Sequence, residues 1–279
     1  MSNLLIHSMS EFSDLILGSM HAAGTRSIVE VGAEFGGMSH QLAAYAEATG
    51  GSLTSIDPAP KAGFAEWAAG NVHVTHVADT SHRAMPGMTD VDAWVIDGDH
   101  NYYTVLGELR IADELSRRDG KPLLAFLHDV SWPCARRDMY YAPETLPPEW
   151  VHPHSWDGGV KLEDGGIHAG RGMRGMGQFA WAEKAGGPRN GVLTAVEDFL
   201  EEVRSDARPL AWVHVPAVLG LGVIFDASAP WAADVAALLH PWHDNQLVAT
   251  LELNRLRNYL TVIEWQDREA SRIGGRAAA

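Results

Sequence analysis

Five short apolar runs in this 279-residue chain end in acidic side chains, and that repetition constrains the fold more than any other feature. The runs lie at 27–31, 52–56, 72–77, 92–96 and 121–127, and their acids are Glu30, Asp57, Asp79, Asp97 and Asp129. Open α/β sheets bind ligands beyond the carboxyl ends of their strands, so five acids in that position predict a ligand cradle along one sheet edge. Helical periodicity fills the gaps between the runs. Residues 102–118 place Tyr102, Val105, Leu106, Leu109, Ala112 and Leu115 on one stripe, as a helix packed on a sheet requires. Near the C-terminus, the runs 210–215 and 221–225 are separated by only five residues, which admits an antiparallel pair and no crossover. The expected fold class is therefore α/β. It is a Rossmann-like seven-stranded, mostly parallel sheet with a terminal antiparallel strand and helices on both faces.

The first run breaks into a glycine-studded turn, Gly32-Ala33-Glu34-Phe35-Gly36-Gly37-Met38-Ser39, ahead of a helix predicted over 38–48. Such a turn sets helix N-terminal N–H groups beside a ligand. A dinucleotide fingerprint needs G-x-G-x-x-G so that the backbone reaches a pyrophosphate, but the position two after Gly32 is Glu34. Glu30 and Glu34 together repel a pyrophosphate and suit a ligand that carries positive charge. Asp57 lies about 20 residues past the turn, where an acid on the neighbouring strand end accepts hydrogen bonds from ribose hydroxyls. Asp79, followed by Thr80, ends the third run; it suits a ligand contact or, equally, a helix cap before Ser81.

The pattern Glu30-x-Gly32-x-x-x-Gly36 resembles the first motif of class I S-adenosylmethionine-dependent methyltransferases, and the closing antiparallel pair is a second point of resemblance. The resemblance implies S-adenosylmethionine as cofactor. Glu30, Gly32, Ala33, Glu34, Gly36 and Ser39 would hold its methionine portion, Asp57 its ribose, and Asp79 with Thr80 its adenine edge, with Asp97 beside them. At the fourth and fifth strand ends, carboxylates and imidazoles can converge on one divalent ion that acidifies a substrate hydroxyl. There Asp97-Gly98-Asp99-His100 and His128-Asp129 resemble the metal-dependent O-methyltransferases of the catechol and macrolide-sugar (macrocin and mycinamicin) types. That resemblance implies Asp97 as metal ligand and His100 as general base, with His128 and Asp129 as further ligands. His128 departs from the oxygen pair usual there, which favours manganese, iron or zinc over magnesium. Three other readings remain open: a metal-independent N-methyltransferase, a non-catalytic protein that binds S-adenosylmethionine, and a nicotinamide-linked enzyme, which Glu34 disfavours.

The formal net charge of −15, without a long Lys/Arg run, argues against a nucleic-acid or anionic-membrane footprint and for a small-molecule substrate. A single cysteine, Cys134, permits no internal disulfide, and no stretch of about 18 apolar residues could span a bilayer, so cytoplasmic localisation is expected. One methyltransferase domain over 1–279 is predicted, with a lid-like substrate insertion at 130–189 and a C-terminal helical segment at 229–268. Tyr102, Tyr103, Arg136, Arg137, Tyr140 and Tyr141 line a substrate pocket or belong to the core. The stripe Leu253, Leu256, Leu260 and Ile263 suits core packing or a helix seam between copies, which leaves a homo-oligomer open.

Overall fold

The computed structural model describes residues 5–205 and 208–277. After a 3-10 turn, Met9–Phe12, and helix α1 (Ser13–Ala23), the chain alternates β1 (Ser27–Val31), α2 (Gly37–Thr49), β2 (Ser52–Ile56), α3 (Phe64–Ala69) and β3 (Val74–Val77). It continues through α4 (Ser81–Ala84), β4 (Ala93–Ile96), α5 (Tyr102–Arg118) and β5 (Leu124–His128). Every residue of β4 and β5 is buried, as expected of parallel strands covered on both faces. Strand β5 starts later than the predicted 121, because Lys121 N–H donates to Ser116 O and closes the end of α5. His128 is consequently inside the strand, paired with Leu221 in the ladder.

Residues 130–189, whose conformation periodicity does not give, form a built layer. Strands β6 (Met139–Tyr140), β7 (His154–Ser155), β8 (Gly158–Val160), β9 (His168–Ala169), β10 (Met173–Arg174) and β11 (Ala180–Ala182) make two three-stranded sheets. The buried guanidinium of Arg137 ties this layer together, donating to the carbonyls of Ala182, Gly165 and Gly166. Strands of two or three residues are too short to show alternation, which is why this segment is unreadable from sequence.

The chain closes with α6 (Val192–Glu202), β12 (Leu210–Val215), β13 (Leu221–Asp226), α7 (Ala232–Leu239) and α8 (Gln246–Ala277). The main sheet has the order β12-β13-β5-β4-β1-β2-β3. Strands β1 to β5 run parallel, and β13 runs antiparallel to both β5 and β12. The antiparallel strand, last in sequence, thus sits inside the sheet. One face packs on α1, α2, α3 and α7 through Ile16, Met20, Leu42, Phe64 and Val235; the other packs on α5 and α6 through Leu109, Val196 and Phe199. Helix α8 runs beyond the predicted 266 and rests Leu256 on Leu5 and Leu219. Of the glycine- and alanine-rich tail 274–279, residues 278–279 lie outside the described residues. Among the described residues no helix is long and apolar enough to cross a membrane.

Candidate active site

The glycine turn is shaped from two directions. Gly32 has φ +86°, and a Cβ there would lie 2.1 Å from the backbone oxygen of Asp97, so only glycine fits between the ends of β1 and β4. From β2, one carboxylate oxygen of Asp57 accepts from Ala33 N–H at 2.9 Å and Glu34 N–H at 3.1 Å. Its other oxygen accepts from Ala59 N–H at 2.8 Å. Glu34 is itself left-handed, φ 45°. Gly36, at φ +81°, precedes the first turn of α2.

Glu30 lies beneath this turn, 1% exposed. The hydroxyls of Ser39 and Ser55 both donate to its Oε2 at 2.6 Å. Burial pushes its pKa up to about 7, against the opposing effect of those two hydrogen bonds. Glu30 and Ser39 are therefore brought together, each engaging the other. At the end of β3, Asp79 is half-buried and accepts from Thr80 N–H at 2.8 Å. Thr80 is exposed and precedes α4 without a side-chain cap bond.

Beyond β4 and β5, four side chains converge. His100 Nε2 lies 3.3 Å from Asp97 Oδ1 and 2.9 Å from Asp129 Oδ2. His128 Nδ1 lies 3.2 Å and 3.1 Å from the same two oxygens. Local sequence sets these positions. Asn101 caps α5 by accepting from Thr104 N–H at 2.9 Å, which fixes His100 one residue before the helix. Asp129 turns the chain after β5 with φ 59°.

The charges in this cluster are mutually sustained. Burial opposes ionisation of both carboxyls, but His100 and His128 hold Asp97 and Asp129 below the usual carboxylate range. Burial likewise opposes the imidazolium form, yet Asp129 and Asp97 raise His100 to about 10 and push His128 well up. As it stands, the cluster is two carboxylates balanced by two imidazolium ions, and Nε2 of His100 carries a proton. Nδ1 of His100 is buried with no hydrogen-bond partner among the described residues.

The same atoms suit a divalent ion. Donor atoms of Asp97, His100 and Asp129 all lie within 4.8 Å of one another. His128 Nδ1 faces the same two carboxylates, at 3.2 and 3.1 Å. A mixed nitrogen and oxygen donor set fits a transition metal better than magnesium.

Among the six candidate pocket residues, only Tyr141 stands beside the cluster, its ring 6.2 Å from that of His100. Tyr102 donates to Asp198, Tyr140 to Asp138, Arg136 pairs with Glu197, Arg137 is the buried tie of the insertion, and Tyr103 packs on Trp150. Sequence reasoning missed Phe179, which packs its edge against Tyr141, and Asp138, whose buried carboxylate accepts from both Tyr102 N–H and Gly191 N–H. Neither carries a motif that would have marked it.

Residues 29–130 match the profile of a family described as a methyltransferase domain. A comparison with curated proteins gives no match. Among solved structures, the O-methyltransferase TomG from Streptomyces achromogenes in complex with S-adenosylmethionine is 17% identical, over 79% of this chain and 82% of that one, with a TM-score of 0.45. The Podospora anserina methyltransferase PaMTH1, bound to S-adenosylhomocysteine, is 13% identical over 76% of each chain, with a TM-score of 0.44. The Burkholderia thailandensis 1,6-didemethyltoxoflavin-N1-methyltransferase is 15% identical over 79% of this chain and 78% of that one, with a TM-score of 0.42. Likenesses of this size carry no weight for the chemistry, which rests on the sheet, the turn and the family match. These three agree: residues 29–130 match a methyltransferase domain, and they hold the glycine turn and the parallel strands β1 to β5 of the sheet.

Proposed function

We propose that the protein transfers the methyl group of S-adenosylmethionine to a hydroxyl of a small acceptor, sugar-like or phenolic, at the Asp97–His100–Asp129 cluster. The observation that carries this reading is the adjacency of two built features along one sheet edge. The glycine turn ends β1, and the acid–imidazole cluster lies at the neighbouring ends of β4 and β5. The turn from Gly32 to Ser39 takes the methionine portion, with Glu30 shaping it from below. Asp57 takes the ribose, and Asp79 with Thr80 the adenine edge. Tyr141 and Phe179 offer ring surface to the acceptor.

In the transfer, the acceptor oxygen attacks the methyl carbon as the carbon–sulfur bond breaks, and the hydroxyl proton leaves. A divalent ion held by Asp97, Asp129 and His128 would supply Lewis acidity toward that hydroxyl. His100 can take that proton only in its neutral form, which an ion on the two carboxylates would favour by drawing their charge away from Nε2. Asp97 and Asp129 orient the ring for that role.

Calorimetry with S-adenosylmethionine and S-adenosylhomocysteine tests the reading, and failure of both to bind would overturn it. His100→Ala should leave cofactor affinity unchanged and lower turnover by about 100-fold or more, the usual loss for a general base. A second reading, a metal-independent N-methyltransferase, draws on the internal pairing of the cluster, whose charges balance without an ion. Full activity after chelation and dialysis would select it.

A further inference from the structure

His128 is held at its far nitrogen by backbone that local preference does not explain. Its Nε2 donates to the carbonyl of Val218 at 2.9 Å. Val218 and the following Leu219 are both left-handed, φ 46° and 65°. For a β-branched residue such as Val218 that conformation is an outlier, and strain of this kind persists only where the surroundings over-determine it.

The surroundings do so from both sides. Leu219 N–H donates to Glu252 Oε1 on α8 at 3.0 Å, and Leu219 O accepts from Ser131 N–H at 2.8 Å. Glu252 is only 8% exposed and is itself clamped by Arg255, at 2.6 Å to Oε2 and 2.7 Å to Oε1. Arg255 in turn donates to Ile6 O at 2.7 Å, which ties α8 to the N-terminal segment.

The consequence lies at the other side of the imidazole. With Nε2–H given to Val218 O, Nδ1 is directed at Asp97 Oδ1 and Asp129 Oδ2. A ring turned over would lose the carbonyl and present carbon to the carboxylates. The bond made by one ring nitrogen sets what the other can do.

We propose that Glu252 is a positioning residue for the cluster: it holds the strained Val218–Leu219 turn so that the Val218 carbonyl fixes His128 with Nδ1 toward Asp97 and Asp129. The effect on ion binding rests on the function proposed above, whereas the effect on the His128 ring does not. Glu252 lies on α8, far beyond the residues of the family match.

The test uses the full chain, with Mn(II) and S-adenosylhomocysteine titrated separately by calorimetry and the His128 Nε2–H signal followed by 15N–1H NMR. In Glu252→Ala, Mn(II) affinity should fall by about 10- to 100-fold, the range for losing an outer-shell partner, with S-adenosylhomocysteine affinity within about twofold of the parent. The His128 Nε2–H signal should exchange away faster. Glu252→Gln, whose carboxamide oxygen still accepts from Leu219 N–H, should retain most of the Mn(II) affinity. Val218→Gly, which removes the strain at φ 46°, should bind Mn(II) like the parent, and in that background Glu252→Ala should cost less than it does in the parent.

Unchanged Mn(II) affinity and an unchanged His128 signal in Glu252→Ala would overturn the proposal. So would parallel loss of both ligands, which marks a general loss of fold. If the parent binds neither Mn(II) nor S-adenosylhomocysteine, the proposed function fails, and the NMR signal alone still decides the role of Glu252.

Discussion

Glu30 and the pair Asp97 and Asp129 are buried acids at the ends of strands in one sheet, yet they carry opposite electrostatic states. Glu30 receives two hydrogen bonds from neutral serine hydroxyls, and burial prevails, leaving its pKa near 7. Asp97 and Asp129 are as deeply enclosed, and there two imidazoles prevail over burial and keep both carboxyls ionised. Partners rather than residue type decide the charge at a strand end. The turn is thus underlaid by an acid poised between its two forms, while the β4 and β5 ends keep full charges in balance. Asp99, two residues from Asp97, sides with Glu30: burial lifts it to about 6 despite the lowering influence of His100.

The sharpest way to break this comparison is to remove one carboxylate from each region. Asp129→Asn takes a partner from His100 and His128, whose side chains are 9% and 2% exposed, and breaking a buried pair costs about 3–5 kcal/mol. Glu30→Gln should cost far less at pH 7, because about half of the Glu30 population is already uncharged and a carboxamide still accepts from both serines. Denaturant titration of the two variants measures the gap. Equal losses would mean that the imidazoles do not sustain the cluster.

A pH series sharpens the same comparison with a somewhat smaller effect. Glu30 has its folded pKa raised from 4.5 to about 7. Its contribution is therefore fully present below pH 4.5 and is lost as pH rises through 7. Relative to Glu30→Gln, the parent should lose about 3 kcal/mol between pH 4.5 and 8 by linkage. Parent and variant with parallel stability curves over that span would show that Glu30 titrates normally and is not confined.

The difference between the regions also marks what was legible in the sequence. The alternation of β1 to β5 with helices was readable because buried strands and amphipathic helices have distinct periods, and α5 spans Tyr102–Arg118 as predicted because Asn101 caps it. The five acids were readable as a set by their place after each run. Their charge states were not, since Ser55 reaches Glu30 across 25 residues and His128 reaches Asp97 across 31. The paired left-handed turn at Val218 and Leu219 was equally hidden, because neither residue type favours it and its support comes from α8.

Gly32 links the two regions, and replacing it should weaken binding at both. At φ +86° an alanine would be strained, at about 1–3 kcal/mol for such a conformation. Its Cβ would meet backbone atoms, the oxygen of Asp97 at 2.1 Å and the Cα of Gly98 at 2.7 Å, which cannot swing aside as a side chain can. The ends of β1 and β4 must therefore separate. Separation displaces the turn held by Asp57 and moves Asp97 relative to Asp129 beyond β5, so one methyl group disturbs the cofactor side and the cluster together. In Gly32→Ala the melting temperature should drop, and calorimetry should show S-adenosylhomocysteine and Mn(II) affinities both reduced. Loss of the first with full retention of the second would show that the turn and the cluster are independent, and that the contact between Gly32 and Asp97 only packs the strand ends.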